Sequence, residues 1–215
     1  MKKLYFVLSF IFTLVIFPYK TSQAQNNVPD NKGKEFWLMF NRNTDNVDVK
    51  LELYITGEIE TSGYVKLPDN HLINFQVLPG QTTSVKIPEI FIASVEDGVE
   101  KKGINIVTDK EVSVYGLNQK SSSTDTFLSL PVDVLGEEYV VMAGNSYAPN
   151  STASPVFGVV ATMNNTELTI IPTTTTQNRQ SGIPYQILFQ KGESYHLTAD
   201  AYFSDLTGTS ITSNN

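Results

Sequence analysis

None of the 215 residues is cysteine. Thiolate nucleophiles, Cys-based zinc sites and disulfide staples are therefore excluded, and stability has to come from a buried apolar core. A chain of this length can bury such a core in one or two domains. Histidine is nearly as scarce, with only His71 and His196. Neither lies in a GxSxG- or HExxH-type motif that would supply a partner for catalysis. His71, after Pro68-Asp-Asn70, reads as a turn residue, and His196, between Tyr195 and Leu197, as a strand residue. Basic clusters are missing as well, since nothing longer than Lys101-Lys102 occurs and the net charge is −7. That balance argues against nucleic acid or anionic lipid as partners, which need clustered Lys and Arg. Helix signals are few. The longest candidate, residues 90–101, is broken by Asp97-Gly98 and carries β-branched residues.

Long apolar runs are absent except at the start. Lys2 and Lys3 precede an almost wholly apolar stretch, residues 4–17, which Pro18 ends, and Ser22-Gln-Ala24 offers small residues to a signal peptidase. As a helix the stretch spans roughly 21 Å, short of a ~30 Å hydrocarbon core. It reads as a cleaved export signal over residues 1–24, with the mature chain starting at Gln25 and no membrane insertion after cleavage. The signal takes Lys2, Lys3 and Lys20 with it and no acid, so the mature chain is three charges more negative.

What fills the rest is strand. Short segments of β-branched and aromatic residues recur at 35–41, 49–56, 63–67, 72–77, 83–87, 104–107, 112–117, 138–143, 156–162, 167–171, 185–189, 195–198 and 210–212. Several alternate, with Val49, Leu51, Leu53 and Ile55 between Lys50, Glu52, Tyr54 and Thr56. Period-two alternation buries one face and wets the other, as in antiparallel sheets. The links are rich in Gly, Pro, Asn and Asp. The pattern predicts an all-β fold of packed antiparallel sheets, sandwich-like or propeller-like. Asp109-Lys110 is expected to be a polar corner between two strands, and residues 173–182 an exposed loop. Pro79-Gly80 before one strand resembles Lys191-Gly192 before another, and Gly103-Ile-Asn-Ile resembles Gly208-Thr-Ser-Ile. These pairs suggest two diverged β repeats within 25–215, with Asn214-Asn215 falling near Asp109-Lys110. On that alignment the chain stops within a domain, and the strand after Gly208 has an unpaired edge.

Candidate sites are sparse. Ser121, Ser122, Ser123, Thr124 and Asp125 combine hydroxyls with a carboxylate, but such a run usually bonds its own backbone as a hydrated loop. Its place between two strands makes it a candidate binding loop. Asn41 to Asp48 offers oxygen ligands yet lacks the glycine and terminal Glu of a calcium loop, and it reads as a polar hairpin turn. In Phe36-Trp-Leu-Met-Phe40 one alternating set is core and the other faces outward or a second sheet. Asn150-Ser-Thr152 and Asn164-Asn-Thr166 are glycosylation sequons for a eukaryotic host. No catalytic residue, metal site or cofactor is assigned.

Val112-Ser-Val-Tyr-Gly-Leu-Asn118, Phe127-Leu-Ser-Leu-Pro131, Leu135-Gly-Glu-Glu-Tyr139, Thr166-Glu-Leu-Thr-Ile-Ile-Pro172 and Asp205-Leu-Thr-Gly-Thr-Ser210 resemble the N-terminal domain of the IgGFc-binding protein family. Gly33-Lys-Glu-Phe-Trp37 is similar to the start of its bacterial branch. The resemblance implies a secreted or cell-surface, non-catalytic binding module, adhesin-like, with an extracellular protein or glycan as partner. In animal relatives the ligand it implies is immunoglobulin Fc. A carbohydrate-active β-protein or its accessory domain is the alternative. Glu137 and Glu138 do not form its acid/base pair together, because neighbours in a strand point to opposite faces.

Overall fold

A computed structural model of the chain describes residues 30–43, 48–121, 123–144, 154–199 and 204–215. The expected signal at 1–24, Ser122, the Asn150 sequon and part of the 41–48 turn lie outside the described residues. Strands dominate: β1 (Gly33–Leu38), β2 (Lys50–Thr56), β3 (Thr61–Lys66), β4 (Leu72–Val77), β5 (Thr82–Ile87), β6 (Gly98–Glu100) and β7 (Ile104–Lys120) come first. Then follow β8 (Ser123–Ser129), β9 (Glu138–Val140), β10 (Val156–Val160), β11 (Thr166–Ile171), β12 (Tyr185–Phe189), β13 (Ser194–Thr198) and β14 (Ser210–Ser213). Two single 3₁₀ turns, Glu89–Phe91 and Val132–Val134, are the only helical segments among the described residues. The all-β expectation holds, with antiparallel pairing throughout the named strands.

The first unit is built on β7. Its first half lies between β1 and β3, and its second half between β2 and β8. One strand therefore belongs to two sheets that wrap a common core in a nearly closed, barrel-like arrangement. The expected corner at Asp109-Lys110 does not break the strand. Residues 109–111 are exposed where β7 passes from one sheet to the other, and the register against β1 shifts there. Polar residues mark a bend, as bulged strands allow. The core is filled by the inward sets the alternation predicts, including Phe36, Leu38, Phe40, Leu51, Leu53, Ile55, Ile104, Ile106, Val112 and Val114.

The second unit holds a three-stranded sheet, β10-β13-β6, and a four-stranded sheet, β12-β11-β14-β9. Phe157, Leu168, Ile170, Phe189, Tyr195, Leu197, Leu206 and Ile211 form its core. β6 was not expected from sequence. It leaves the first unit's chain between β5 and β7 and pairs with β13, tying the units together. Nor is the strand after Gly208 unpaired, because β14 lies between β11 and β9.

The pairings in the two units correspond. Val65 opposes Ile106 and Ile170 opposes Ile211, both offset by 105 positions. Phe36 and Tyr139 oppose those same two isoleucines from the other side. Leu53 opposes Val85 as Phe157 opposes Leu197, and Thr61 opposes Val77 as Thr166 opposes Phe189. The hairpin glycines Gly80 and Gly192 both take positive φ, 70° and 82°, where a side chain would be strained. The correspondence stops at β10. Its counterpart β2 is flanked by β5 and β7, whereas β10 has β13 on one side and no strand on the other among the described residues.

Candidate binding groove

β1 sends its residues to both units. Phe36, Leu38 and Phe40 enter the first core, and period two turns Trp37 and Met39 the other way. Trp37 meets the β12–β13 hairpin, where a Cβ on Gly192 would lie 3.0 Å from the indole. Lys191 Nζ stands 5.5 Å from the ring centroid and 3.5 Å from Glu35 Oε1, which also accepts the indole N–H at 3.0 Å. Met39 reaches β10. A Cβ on Gly158 would collide with Asn41 Oδ1 and come within 2.6 Å of Met39 Sδ, so any larger residue there makes these two side-chain ends turn aside. Asn41 Oδ1 itself is buried, with no hydrogen-bond partner among the described residues.

Between the units lies a groove made of two adjoining cavities of about 560 and 680 Å³. Trp37, Leu135, Met142, Val156, Gly158 and Val160 line both. Residues 125–130, on and just after β8, form one wall of the smaller cavity. The larger runs inward to Phe157, Leu168, Phe189 and Ile211, so the second core opens directly into it. At the rim Val140 is 68% and Met142 93% exposed. A concave, mainly apolar surface with a few polar groups is the usual form of a binding site.

A polar network stitches the seam behind the groove. Asp97, left-handed at φ 49°, accepts from Arg179 Nε and Nη2 at 2.9 Å and from Tyr195 Oη at 2.6 Å. Tyr185 and Tyr195 hydroxyls are 2.9 Å apart, and the Arg179 guanidinium lies 4.0 Å over the Tyr185 ring. Burial pushes the Tyr185 phenol up to about 12, and burial together with the Asp97 carboxylate holds Tyr195 neutral at any ordinary pH. Glu96 binds Thr198 through its backbone N–H and hydroxyl, each at 2.6 Å. Its burial works against ionisation, but contacts from His196 and Thr198 outweigh that and hold the carboxyl below its usual range. His196 is fully buried, with Nδ1 3.4 Å from Glu96 Oε2 and no hydrogen bond to either ring nitrogen among the described residues. Sealed from solvent, this imidazole has no route to a substrate.

The sequence candidates fall differently. Ser123, Thr124 and Asp125 lie on β8, paired with Lys120, Gln119 and Asn118, so the expected loop is a strand after a tight turn at Ser121. Ser122 lies outside the described residues. Asp125 reaches the groove wall, whereas Ser121, Ser123 and Thr124 do not line it. His71 is an exposed turn residue. Of the groove residues, Trp37 was weighed in the aromatic run 36–40 and Asn41 in the oxygen-rich 41–48 segment, whereas Gly158 and Met142 were not singled out. The alternation of Trp37 and Met39 and the lone glycine inside a strand were the available signals.

Residues 125–215 match the family model described as IgGFc binding protein. The IgGFc-binding match begins on β8 at Asp125 and takes in β9 to β14, so the second unit's own strands from β9 onward and most of the groove lie within it. Trp37 of β1 and Asn41, which line both cavities, come from outside the matched residues. No curated protein and no solved structure matches the chain. Among the described residues no helix is long and apolar enough to cross a membrane.

Proposed function

We propose that the chain is a non-catalytic binding module, secreted or displayed at the cell surface, and that the groove between β8 and β10 holds its ligand. The observation that carries this is the open second core. An apolar cavity of about 680 Å³, rimmed by exposed Val140 and Met142, is lined mostly by residues that match a family named for binding. Extensive exposed apolar surface on a folded chain marks an interaction site. The ligand class that fits is an extracellular protein or glycoprotein, with immunoglobulin Fc the first to test. The apolar leader at 1–24 supports export.

The test is a binding screen of the exported chain against immunoglobulin Fc, mucin and a glycan array, run beside Val140→Asp and Met142→Asp. Saturable binding that drops at least tenfold in these variants, with unchanged melting temperature, is expected. Turnover of any glycan, or a ligand indifferent to both substitutions, overturns the reading.

A further inference from the structure

We infer that the outer face of the first unit's sheet, across β5, β2, β7 and β8, holds an uncharged glycan chain of the ligand, laid over Tyr54 and Tyr115. The inference rests on the groove being the binding site and adds that its ligand is a glycoprotein, with the sugar part on this face.

Leu53, Ile55, Val85 and Val114 point into the first core, so period two turns Ser84, Tyr54, Tyr115 and Leu128 outward. Pairing sets these four in one row, since Ser84 opposes Tyr54, Tyr54 opposes Tyr115 and Tyr115 opposes Leu128. With strands about 4.8 Å apart the row is roughly 14 Å long, room for a short oligosaccharide rather than one sugar ring. Tyr115 and Leu128 are each 40% exposed. The Tyr54 ring does not stand off the sheet. Its hydroxyl donates at 2.7 Å to Glu52 Oε2, two residues along the same face, which lays the ring down along β2. Glu52 is buried on this outward face beside buried Leu117. A carboxylate placed there loses its hydration, and Lys50 and Ser84 join Tyr54 in holding it ionised. The network fixes the ring in advance, so little freedom is lost when a ligand stacks on it.

The side chains around the row select the occupant. The neighbouring row runs Lys86, Glu52, Leu117, Thr126. Lys50 neutralises Glu52, which leaves Lys86 as the charge in the two rows, too little to hold an anionic polymer. Tyr54, Tyr115 and Leu128 stand in single file, with exposed Ser84, Lys86 and Thr126 about them, too narrow for the dry core of a protein interface. An uncharged glycan meets both conditions. The C–H face of a sugar ring stacks on a tyrosine ring, and its hydroxyls reach Ser84 Oγ, Lys86 Nζ and Thr126 Oγ1 alongside. Leu128 closes the row and also lines the smaller cavity, so the row and the groove form one continuous surface.

The probes are immunoglobulin Fc and mucin, each intact and stripped of its glycans, titrated against the chain from Gln25 onward. Stripping should weaken binding at least tenfold, and Tyr115→Ala should weaken the intact probe as much, with unchanged melting temperature. The two losses should not add, so Tyr115→Ala changes affinity for the stripped probe less than twofold. Tyr115→Phe keeps the ring and should stay within threefold of the unmodified chain. Removing only the acidic sugars should also leave affinity within threefold, and a loss equal to full stripping overturns the uncharged assignment. Losses that add overturn the inference, because ring and sugar then act apart. If Val140→Asp and Met142→Asp weaken binding while stripping and Tyr115→Ala do not, the glycan mode falls and the proposed function stands. The reverse pattern overturns the groove and keeps the glycan surface. Absence of saturable binding to every intact probe overturns both.

Discussion

Glu52 shows how a single buried carboxylate ties stability to pH. Lys50, Tyr54 and Ser84 all contact it, at 2.7, 2.7 and 3.0 Å. The Lys50 and Tyr54 contacts hold its carboxyl down to about 2 from an ordinary 4.5, against the opposing effect of burial. A lowered folded-state value contributes stability that is complete above the ordinary value and lost as pH falls through the lowered one. Melting temperature should therefore decline between about pH 4.5 and 2, and Glu52→Gln should flatten that decline while costing stability at pH 7. An unchanged acid limb in the variant would show that other carboxylates control it, Glu96 being the next candidate. Gly158 is a second such residue. Gly158→Ala should destabilise by no more than about 1 kcal/mol, because the Asn41 amide and the Met39 thioether, both ends of flexible side chains, have to turn aside for the methyl group, and thermal melting reads it directly. Its neighbourhood was illegible in the sequence, since nothing local to Val156–Val160 announces that residue 41 lies over it.

At the level of elements, alternation was legible wherever one face is buried and the other wet. The inward sets of β1, β2 and β7 were all readable in that way. It failed where polarity had another cause. Asp109 and Lys110 are polar because β7 is exposed at its bend. Ser123, Thr124 and Asp125 are polar because β8 is an outer strand held by β7 backbone pairing, which asks nothing of side chains. β6 was hidden because three residues carry no period and its partners are 94 to 98 positions away. The β7–β8 hairpin depends on Phe127, whose ring covers Gly116, leaving a Cβ there only 2.6 Å from Phe127 Cε1, and meets Phe40 edge-on at 5.7 Å between centroids. Phe127→Ala removes both contacts and should cost about 3 kcal/mol by denaturant titration. A loss below ~1 kcal/mol would mean that backbone pairing alone holds β8.

For the whole molecule, Gly80 and Gly192 were legible as similar phrases ahead of two strands, and both take the positive φ that a hairpin turn gives to glycine. The register correspondence behind them needed pairings that no single segment displays. The seam is the least legible part of all, because Asp97 finds Arg179 and Tyr195 at 82 and 98 positions' distance. Physically the seam should make the two cores unfold together. β6 is hydrogen-bonded into the second unit, Gly103 N donates to Gly192 O at 3.1 Å, and the Asp97 side chain is 3% exposed under its cationic and phenolic partners. Trp37, the sole tryptophan, packs on Gly192 at this seam and reports on it without labelling. In the chain from Gln25 onward, tryptophan fluorescence and far-ultraviolet dichroism should trace one coincident thermal transition. Asp97→Ala leaves Arg179 and Tyr195 uncompensated at a cost of about 3 kcal/mol, and it should pull the fluorescence transition to lower temperature, ahead of the dichroism. Separate transitions in the unmodified chain would show that the units fold independently and that the seam is contact without coupling.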